Sequence, residues 1–89
     1  MLLGCDSHIS EDDLHVHFSC GKGATEPSVK GKEAMRLMAS SQGILLDSYF
    51  TGKAFAGFLE LCGNGAFLPG DSIAFIHTGG MVSLLNQLK

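Results

Sequence analysis

Two short segments carry hydroxyl groups, aromatic rings and glycines in an arrangement that suits a small-molecule site. The first is residues 47–53 (DSYFTGK) and the second is residues 77–80 (HTGG). Hydroxyls and rings hold and orient a flat ligand, and glycines let the backbone approach it closely. Because each segment follows a short apolar run, we expect both to lie at the carboxyl ends of neighbouring parallel strands and to line one pocket.

Three stretches of the chain have the pattern of β-strands. Residues 13–18 alternate polar and apolar side chains, which is typical of a half-buried strand. Residues 44–46 and 72–77 are short apolar runs, which are typical of strands covered on both faces. The two candidate ligand segments begin where these two runs end.

Helical patterns separate the predicted strands. Ser28 is a good N-cap for a first helix, and Gly43 suits its left-handed C-cap. A second helix opens at Thr51 and closes at Asn64, with an apolar face at helical spacing. The side chains on that face are Phe55, Phe58, Leu59 and Cys62. Residues 82–88 suggest a short last helix, so the repeated order of strand and helix predicts an α/β fold, with a parallel sheet in a three-layer arrangement.

Length and composition indicate a fragment. The 89 residues allow one domain, 1–89. The hydrophobic content of 45% and the mean hydropathy of +0.22 are high for so short a chain, which indicates apolar faces that meet more protein. For residues 1–10, which lack periodicity, we expect either disorder or the altered start of a longer sequence.

Charge and cysteine content exclude several classes of protein. The net charge of −3 and the pI near 5.7 leave no clustered basic face for nucleic acid. No apolar run approaches the roughly 18–20 residues that cross a bilayer, so we expect no membrane partner. Three cysteines at irregular spacing favour a reducing cytoplasm over a disulfide scaffold. Cys62, on the apolar helix face, is expected to be a small core residue.

The histidines near the amino terminus raise the question of a metal site. His15 and His17 would share one face of the predicted strand, and Cys20 is close to them in sequence. Structural zinc sites usually show Cys-x-x-Cys or His-x-x-x-His spacing, which this chain lacks. We therefore predict no metal site and interpret the two histidines as solvent-facing residues of an alternating strand.

Three motifs resemble one enzyme family. They are residues 44–47 (ILLD), 51–57 (TGKAFAG) and 75–80 (FIHTGG), and the likeness extends from about residue 27 to residue 85. In these motifs the chain resembles the C-terminal part of the D-cysteine desulfhydrase and 1-aminocyclopropane-1-carboxylate deaminase family. These are pyridoxal 5′-phosphate enzymes of the tryptophan-synthase-β type, fold type II, which act on small amino acids and are commonly homodimers.

The resemblance implies a role at the cofactor ring for this piece of the family's chain. The positions that it assigns to cofactor binding are Thr51, Thr78, Gly79 and Gly80. The family's Schiff-base lysine and phosphate-binding loop lie upstream and have no counterpart here, and Lys53 belongs to a different motif. We therefore expect the remainder of the parent chain to be needed for activity.

Two threonines favour the desulfhydrase branch of the family. On the resemblance, deaminase-type members have glutamate at the position of Thr51 and leucine at that of Thr78, whereas desulfhydrase-type members have threonine at both. A carboxylate beside the pyridine nitrogen keeps the ring protonated, which opening a cyclopropane requires. β-Elimination of thiolate to give pyruvate, hydrogen sulfide and ammonia needs a milder electron sink. Deaminase-type activity in the parent is the alternative.

Phe50 departs from the family's pattern. A tyrosine stands at this catalytic position in the family, and phenylalanine keeps the ring but cannot transfer a proton. Tyr49 is one residue away. Without the resemblance, Thr51 is explained as a helix N-cap, Thr78 as a strand terminator and His77 as an ordinary core or loop histidine. The rival hypothesis is a non-catalytic α/β remnant or interaction module.

Overall fold

The computed structural model describes residues 10–23 and 26–81, and two α-helices are its main elements. Helix α1 is Val29–Gln42 and helix α2 is Thr51–Gly63. A short 3-10 helix, Glu11–Asp13, precedes them. The connection between α1 and α2, residues 43–50, contains the first four residues of the first candidate ligand segment, and the other three begin α2.

The ends of α1 follow from local chemistry. The Ser28 hydroxyl accepts a hydrogen bond from the backbone N–H of Gly31 at 3.0 Å, which satisfies one of the free amides at the start of the helix. Gly43 ends the helix in the left-handed conformation, with φ of 68°. Both predicted caps are confirmed.

Helix α2 begins at Thr51, and Asn64 is its C-cap, as predicted. The residue in the N-cap position is Phe50, which has no side-chain acceptor. The carboxylate of Asp47 takes the place of an N-cap side chain, because it accepts hydrogen bonds from the amides of Phe50 and Thr51. Thr51 is therefore the first residue of the helix and not its N-cap.

Two glycines let α1 and α2 pack closely near their amino ends. A Cβ atom on Gly52 would lie 2.6 Å from the carbonyl oxygen of Asp47 and 3.0 Å from that of Gly31. A Cβ atom on Gly31 would lie 3.2 Å from Cγ of Lys53. Because a side chain on Gly52 would collide with backbone oxygens of two segments, glycine at this position lets the start of α2 lie against α1.

A small core lies between the two helices and the segments that follow them. Its buried members are Ala34, Leu46 and Phe55. The ring of Phe55 stacks on Phe58 at 5.7 Å between centroids and meets Phe75 edge-on at 5.4 Å. Residues 71–80 are thereby held against α2 by aromatic contacts.

The predicted parallel sheet is wrong for the described residues, which form helices and no strand. The apolar run 44–46 is only partly covered: Leu46 is buried, but Leu45 is 55% exposed. The carbonyl oxygen of Leu45 is hydrogen-bonded to Nε2 of His77 at 2.9 Å. In a β-sheet this carbonyl would instead accept the backbone N–H of a neighbouring strand. A side chain thus joins the two segments in place of strand pairing.

Residues 13–18 do not form a strand either. Their apolar side chains find no core to cover, since Leu14, Val16 and Phe18 are 66%, 78% and 83% exposed. Cys62, expected in the core, is also exposed. The predicted helix at 82–88 and most of residues 1–10 lie outside the described residues. Among the described residues, no helix has the length and apolar character to cross a membrane.

Candidate functional site

The carboxylate of Asp47 organises the first candidate segment. Its Oδ1 atom accepts the backbone N–H groups of Tyr49 and Phe50 at 2.8 and 2.7 Å. Its Oδ2 atom accepts the N–H of Thr51 at 3.0 Å and the Thr51 hydroxyl at 2.7 Å. One fully buried side chain therefore holds the backbone amides of three successive residues, 49–51.

The four hydrogen bonds keep Asp47 ionised. Burial alone raises the pKa of a carboxyl group, because it removes water from the charged form. Here the bonds from the N–H and hydroxyl of Thr51 and from the N–H groups of Phe50 and Tyr49 outweigh burial, so the pKa of Asp47 lies below its ordinary value. Asp47 is thus a charged, hydrogen-bonded capping group at the amino end of α2.

The hydroxyl of Thr51 is engaged with the same residue. It donates to Oδ2 of Asp47 and accepts from the backbone N–H of Asp47 at 2.8 Å. Thr51 itself is only 1% exposed. Because a hydroxyl has a single proton, Thr51 retains one lone pair and no donor for any other partner.

The two candidate ligand segments meet, as the sequence suggested, although no sheet brings them together. The ring of His77 accepts the N–H of Gly79 at Nδ1, at 3.0 Å, and reaches the carbonyl of Leu45 through Nε2. This pattern assigns the proton of the neutral ring to Nε2. Further along, a Cβ atom on Gly80 would lie 2.5 Å from Oδ2 of Asp47.

An open cleft of about 380 Å³ lies beside these segments. The residues that line it are His17, Ser19, Cys20, Tyr49, Phe50, Lys53, Ala54 and Thr78. Thr78 is exposed, as is Phe50 at 57%. Of the predicted site residues, Phe50 and Thr78 therefore line the cleft, whereas Gly79, Gly80 and Thr51, which is bonded to Asp47, do not.

The two glycines of the second segment have different surroundings. Gly79 has a φ of 100° and open space where a Cβ would stand. Gly80 has a φ of 89° and is packed against the carboxylate of Asp47. Both need glycine for their backbone conformation, and only Gly80 also needs it for space.

Lys53 is buried and holds a third segment against the cleft. Its Nζ atom donates to the carbonyl of Cys20 at 2.9 Å and to that of Gly23. Its own carbonyl accepts the hydroxyl of Ser19 at 3.0 Å. With 4% of its surface exposed, Lys53 acts as a clamp between α2 and residues 19–23.

The sequence did not predict the structural roles of Asp47 and Lys53, nor did it predict that His17, Ser19 and Cys20 line the cleft. For Asp47 a local signal exists, because aspartate side chains commonly accept the N–H two residues on and so start a turn. The contacts of Lys53 span 30 and 33 residues along the chain, and no local pattern predicts them.

No metal centre is seen within residues 10–23 and 26–81, where no group of three His, Cys, Asp or Glu side chains is placed to hold an ion. His17 instead lies 3.7 Å from a carboxylate oxygen of Glu60 on α2.

Comparison with known proteins gives the resemblance an independent basis. The chain is 41% identical over 75 residues to D-cysteine desulfhydrases from Salmonella newport (strain SL254), Salmonella heidelberg (strain SL476) and Salmonella schwarzengrund (strain CVM19633). The chain is similar to the C-terminal part of D-cysteine desulfhydrases. The match covers 81% of this chain but only 22% of the length of these relatives. No family model matches the chain.

Proposed function

We propose that this chain is part of a pyridoxal 5′-phosphate-dependent lyase of the D-cysteine desulfhydrase type and supplies one wall of its cofactor pocket. The observation that carries the proposal is the 41% identity over 75 residues, which covers 81% of this chain. Its substrate is a small amino acid. A cytoplasmic location belongs to the same proposal, since the free thiols of Cys20 and Cys62 suit a reducing compartment.

The residues of the cleft fit a flat aromatic ligand. Its volume of about 380 Å³ lies in the usual range for small-molecule sites. Phe50 and Tyr49 offer ring surfaces whose centroids are 6.4 Å apart, and Thr78 offers a hydroxyl. The bound cofactor supplies the electron sink that stabilises a carbanion at the substrate's α-carbon. The role of this chain is to bind and orient the ring and to restrict access of water to it.

Lys53 is not the lysine that we propose to form the Schiff base with pyridoxal phosphate. A Schiff base requires a free amine, and the Nζ atom of Lys53 is occupied by two backbone carbonyls. Its side chain also holds residues 19–23 in place. In the proposal, the remainder of the parent chain supplies the Schiff-base lysine and the phosphate-binding loop, and the parent is a homodimer.

The two threonines support elimination of thiolate over opening of a cyclopropane. Neither Thr51 nor Thr78 places a carboxylate at the cleft, and the buried carboxylate of Asp47 is engaged by three backbone amides and the Thr51 hydroxyl. No described acid therefore stands ready to protonate the ring nitrogen strongly. We assign the parent to the desulfhydrase type on this ground.

The phenol needed for proton transfer has two candidate positions. Phe50 occupies the position where the resemblance places a tyrosine, and Tyr49 lines the same cleft. A group of this kind contributes on the order of 10²–10⁴-fold to a rate. If the position of Phe50 is the catalytic one, a parent enzyme carrying phenylalanine there is slow.

A chimera tests this proposal. Joining this chain to the remaining N-terminal part of a Salmonella D-cysteine desulfhydrase supplies the missing lysine and loop. Phe50→Tyr should raise its turnover on D-cysteine by at least about tenfold, and cofactor affinity should barely change. The matched variant Tyr49→Phe should have little effect. If Tyr49→Phe abolishes activity and Phe50→Tyr does nothing, the phenol of Tyr49 performs the proton transfer instead.

A non-catalytic interaction module is the second candidate, and the exposed apolar surface favours it. The large apolar side chains that are at least 46% exposed in the extended segments include Leu14, Val16, Phe18, Ile73 and Ile76. Such a surface usually meets other protein. The chimera separates the two candidates: a folded chimera that binds pyridoxal phosphate but never releases sulfide from D-cysteine favours the module.

A further inference from the structure

Asp47 is a fully buried charged residue for which the proposed function has no role. Its carboxylate accepts hydrogen bonds from the backbone amides of Tyr49, Phe50 and Thr51 and from the Thr51 hydroxyl. Two of those residues, Tyr49 and Phe50, line the cleft. The backbone that carries both rings is therefore held by one side chain that does not itself line the cleft.

The same carboxylate lies against the second candidate segment. A Cβ atom on Gly80 would stand 2.5 Å from Oδ2 and 2.9 Å from Cγ of Asp47, so the two residues are in close contact. Thr78, which lines the cleft, is two residues before Gly80. The Asp47 carboxylate thus contacts both the backbone of Tyr49 and Phe50 and the segment that carries Thr78.

Thr51 locks the orientation of this carboxylate. Its hydroxyl bridges two atoms of the same residue, accepting from the backbone N–H of Asp47 and donating to Oδ2. This closes a ring of hydrogen bonds that fixes the rotation of the Asp47 side chain. Because the Thr51 hydroxyl already donates its proton to Asp47, Thr78 is the threonine of this pair that can donate to a ligand in the cleft.

We propose that Asp47, locked by Thr51, is the positioning residue of the cleft: it holds Tyr49 and Phe50 on one side and the Thr78-bearing segment on the other in a single arrangement. This role rests on the proposed function only for the identity of the ligand, which is a pyridine ring.

The test uses the fluorescence of Tyr49, which is the only tyrosine in a chain without tryptophan. Quenching by acrylamide in the full 89-residue chain measures how far this half-buried ring is exposed. Asp47→Ala should raise the quenching constant by about twofold or more, because three amides lose their acceptor and the segment opens. Asp71→Ala is the control, since Asp71 also caps a backbone N–H, that of Leu68 at 2.7 Å, away from the cleft.

A second pair of variants covers the case in which Asp47→Ala does not fold, which far-ultraviolet circular dichroism shows. Thr51→Val removes the hydroxyl that locks the carboxylate and should raise the quenching of Tyr49. Thr51→Ser keeps the hydroxyl and should restore the original value. A purely space-filling role for Thr51 gives the reverse order, because valine fills the site better than serine.

The positioning role is overturned if Tyr49 is quenched equally in the original chain, Thr51→Val and Thr51→Ser, or if Asp71→Ala has the same effect as Asp47→Ala. These measurements need no cofactor and no turnover. An inactive chimera would therefore contradict the proposed function alone, and unchanged quenching would contradict the role of Asp47 alone.

Discussion

Gly52 should be one of the least replaceable residues in the chain, because it lies where helix α2 touches α1. A Cβ atom there would stand 2.6 Å from the carbonyl oxygen of Asp47, 2.9 Å from Cγ of Met35 and 3.0 Å from the carbonyl oxygen of Gly31. Two of these neighbours are backbone atoms that belong to different segments, so no single side chain can move aside to make room.

The magnitude follows from two opposing effects. Overpacking typically costs about 1–3 kcal/mol, and backbone on two sides places Gly52→Ala at the upper end. Replacing glycine by alanine inside a helix returns up to about 1 kcal/mol. We expect a net loss of about 2 kcal/mol, which for a chain of this size lowers the melting temperature by roughly 10 °C.

Gly63→Ala is the matched control, since it makes the same change in the same helix. A Cβ atom on Gly63 meets nothing within 4 Å, and neither glycine has a positive φ. Thermal unfolding followed by circular dichroism should show Gly63→Ala at or slightly above the original midpoint and Gly52→Ala well below it. If both variants melt together, the close approach of α1 and α2 is not as described.

Three further predictions follow from the buried polar groups. The ionised carboxylate of Asp47 stabilises the folded chain fully above about pH 4, where aspartate is also ionised in the unfolded chain. This stabilisation is lost as the pH falls through the lowered pKa of Asp47 in the folded chain. In urea titrations, Asp47→Asn should therefore be less stable at neutral pH and its stability should depend less on pH. Lys53→Met should leave the carbonyls of Cys20 and Gly23 without their donor and increase hydrogen exchange in residues 19–23, whereas Lys32→Met, at an exposed position on α1, should not. Pyridoxal phosphate followed by borohydride should give no stoichiometric, site-specific lysine adduct with the free chain, and mass spectrometry finding one at Lys53 would refute the clamp assigned to it.

The helices could be predicted because their boundaries depend on neighbours in sequence. Ser28 and Gly43 cap α1 by contacts within a few residues, and the ring spacing of Phe55 and Phe58 marks the inner face of α2. The strands could not be predicted in this way. An apolar run such as 44–46 shows that a segment can be covered, but a strand exists only if another backbone pairs with it.

The candidate site was predictable to a similar extent. Hydroxyls and glycines in residues 47–53 and 77–80 identified two segments that do meet in the structure, where Gly80 packs against Asp47. The roles of individual side chains were not predictable, because they depend on long-range contacts. Lys53 is committed to carbonyls some 30 residues earlier, and the orientation of the Thr51 hydroxyl depends on the buried carboxylate of Asp47.

The substrate choice of the chimera tests the central claim most directly. With pyridoxal phosphate bound, the chimera carrying Phe50→Tyr should release sulfide and pyruvate from D-cysteine and leave 1-aminocyclopropane-1-carboxylate unchanged, because Thr51 and Thr78 place no carboxylate at the ring. Opening of the cyclopropane at a comparable rate, or no turnover of D-cysteine by a folded, cofactor-bound chimera, would contradict the assignment of this chain to a D-cysteine desulfhydrase-type lyase.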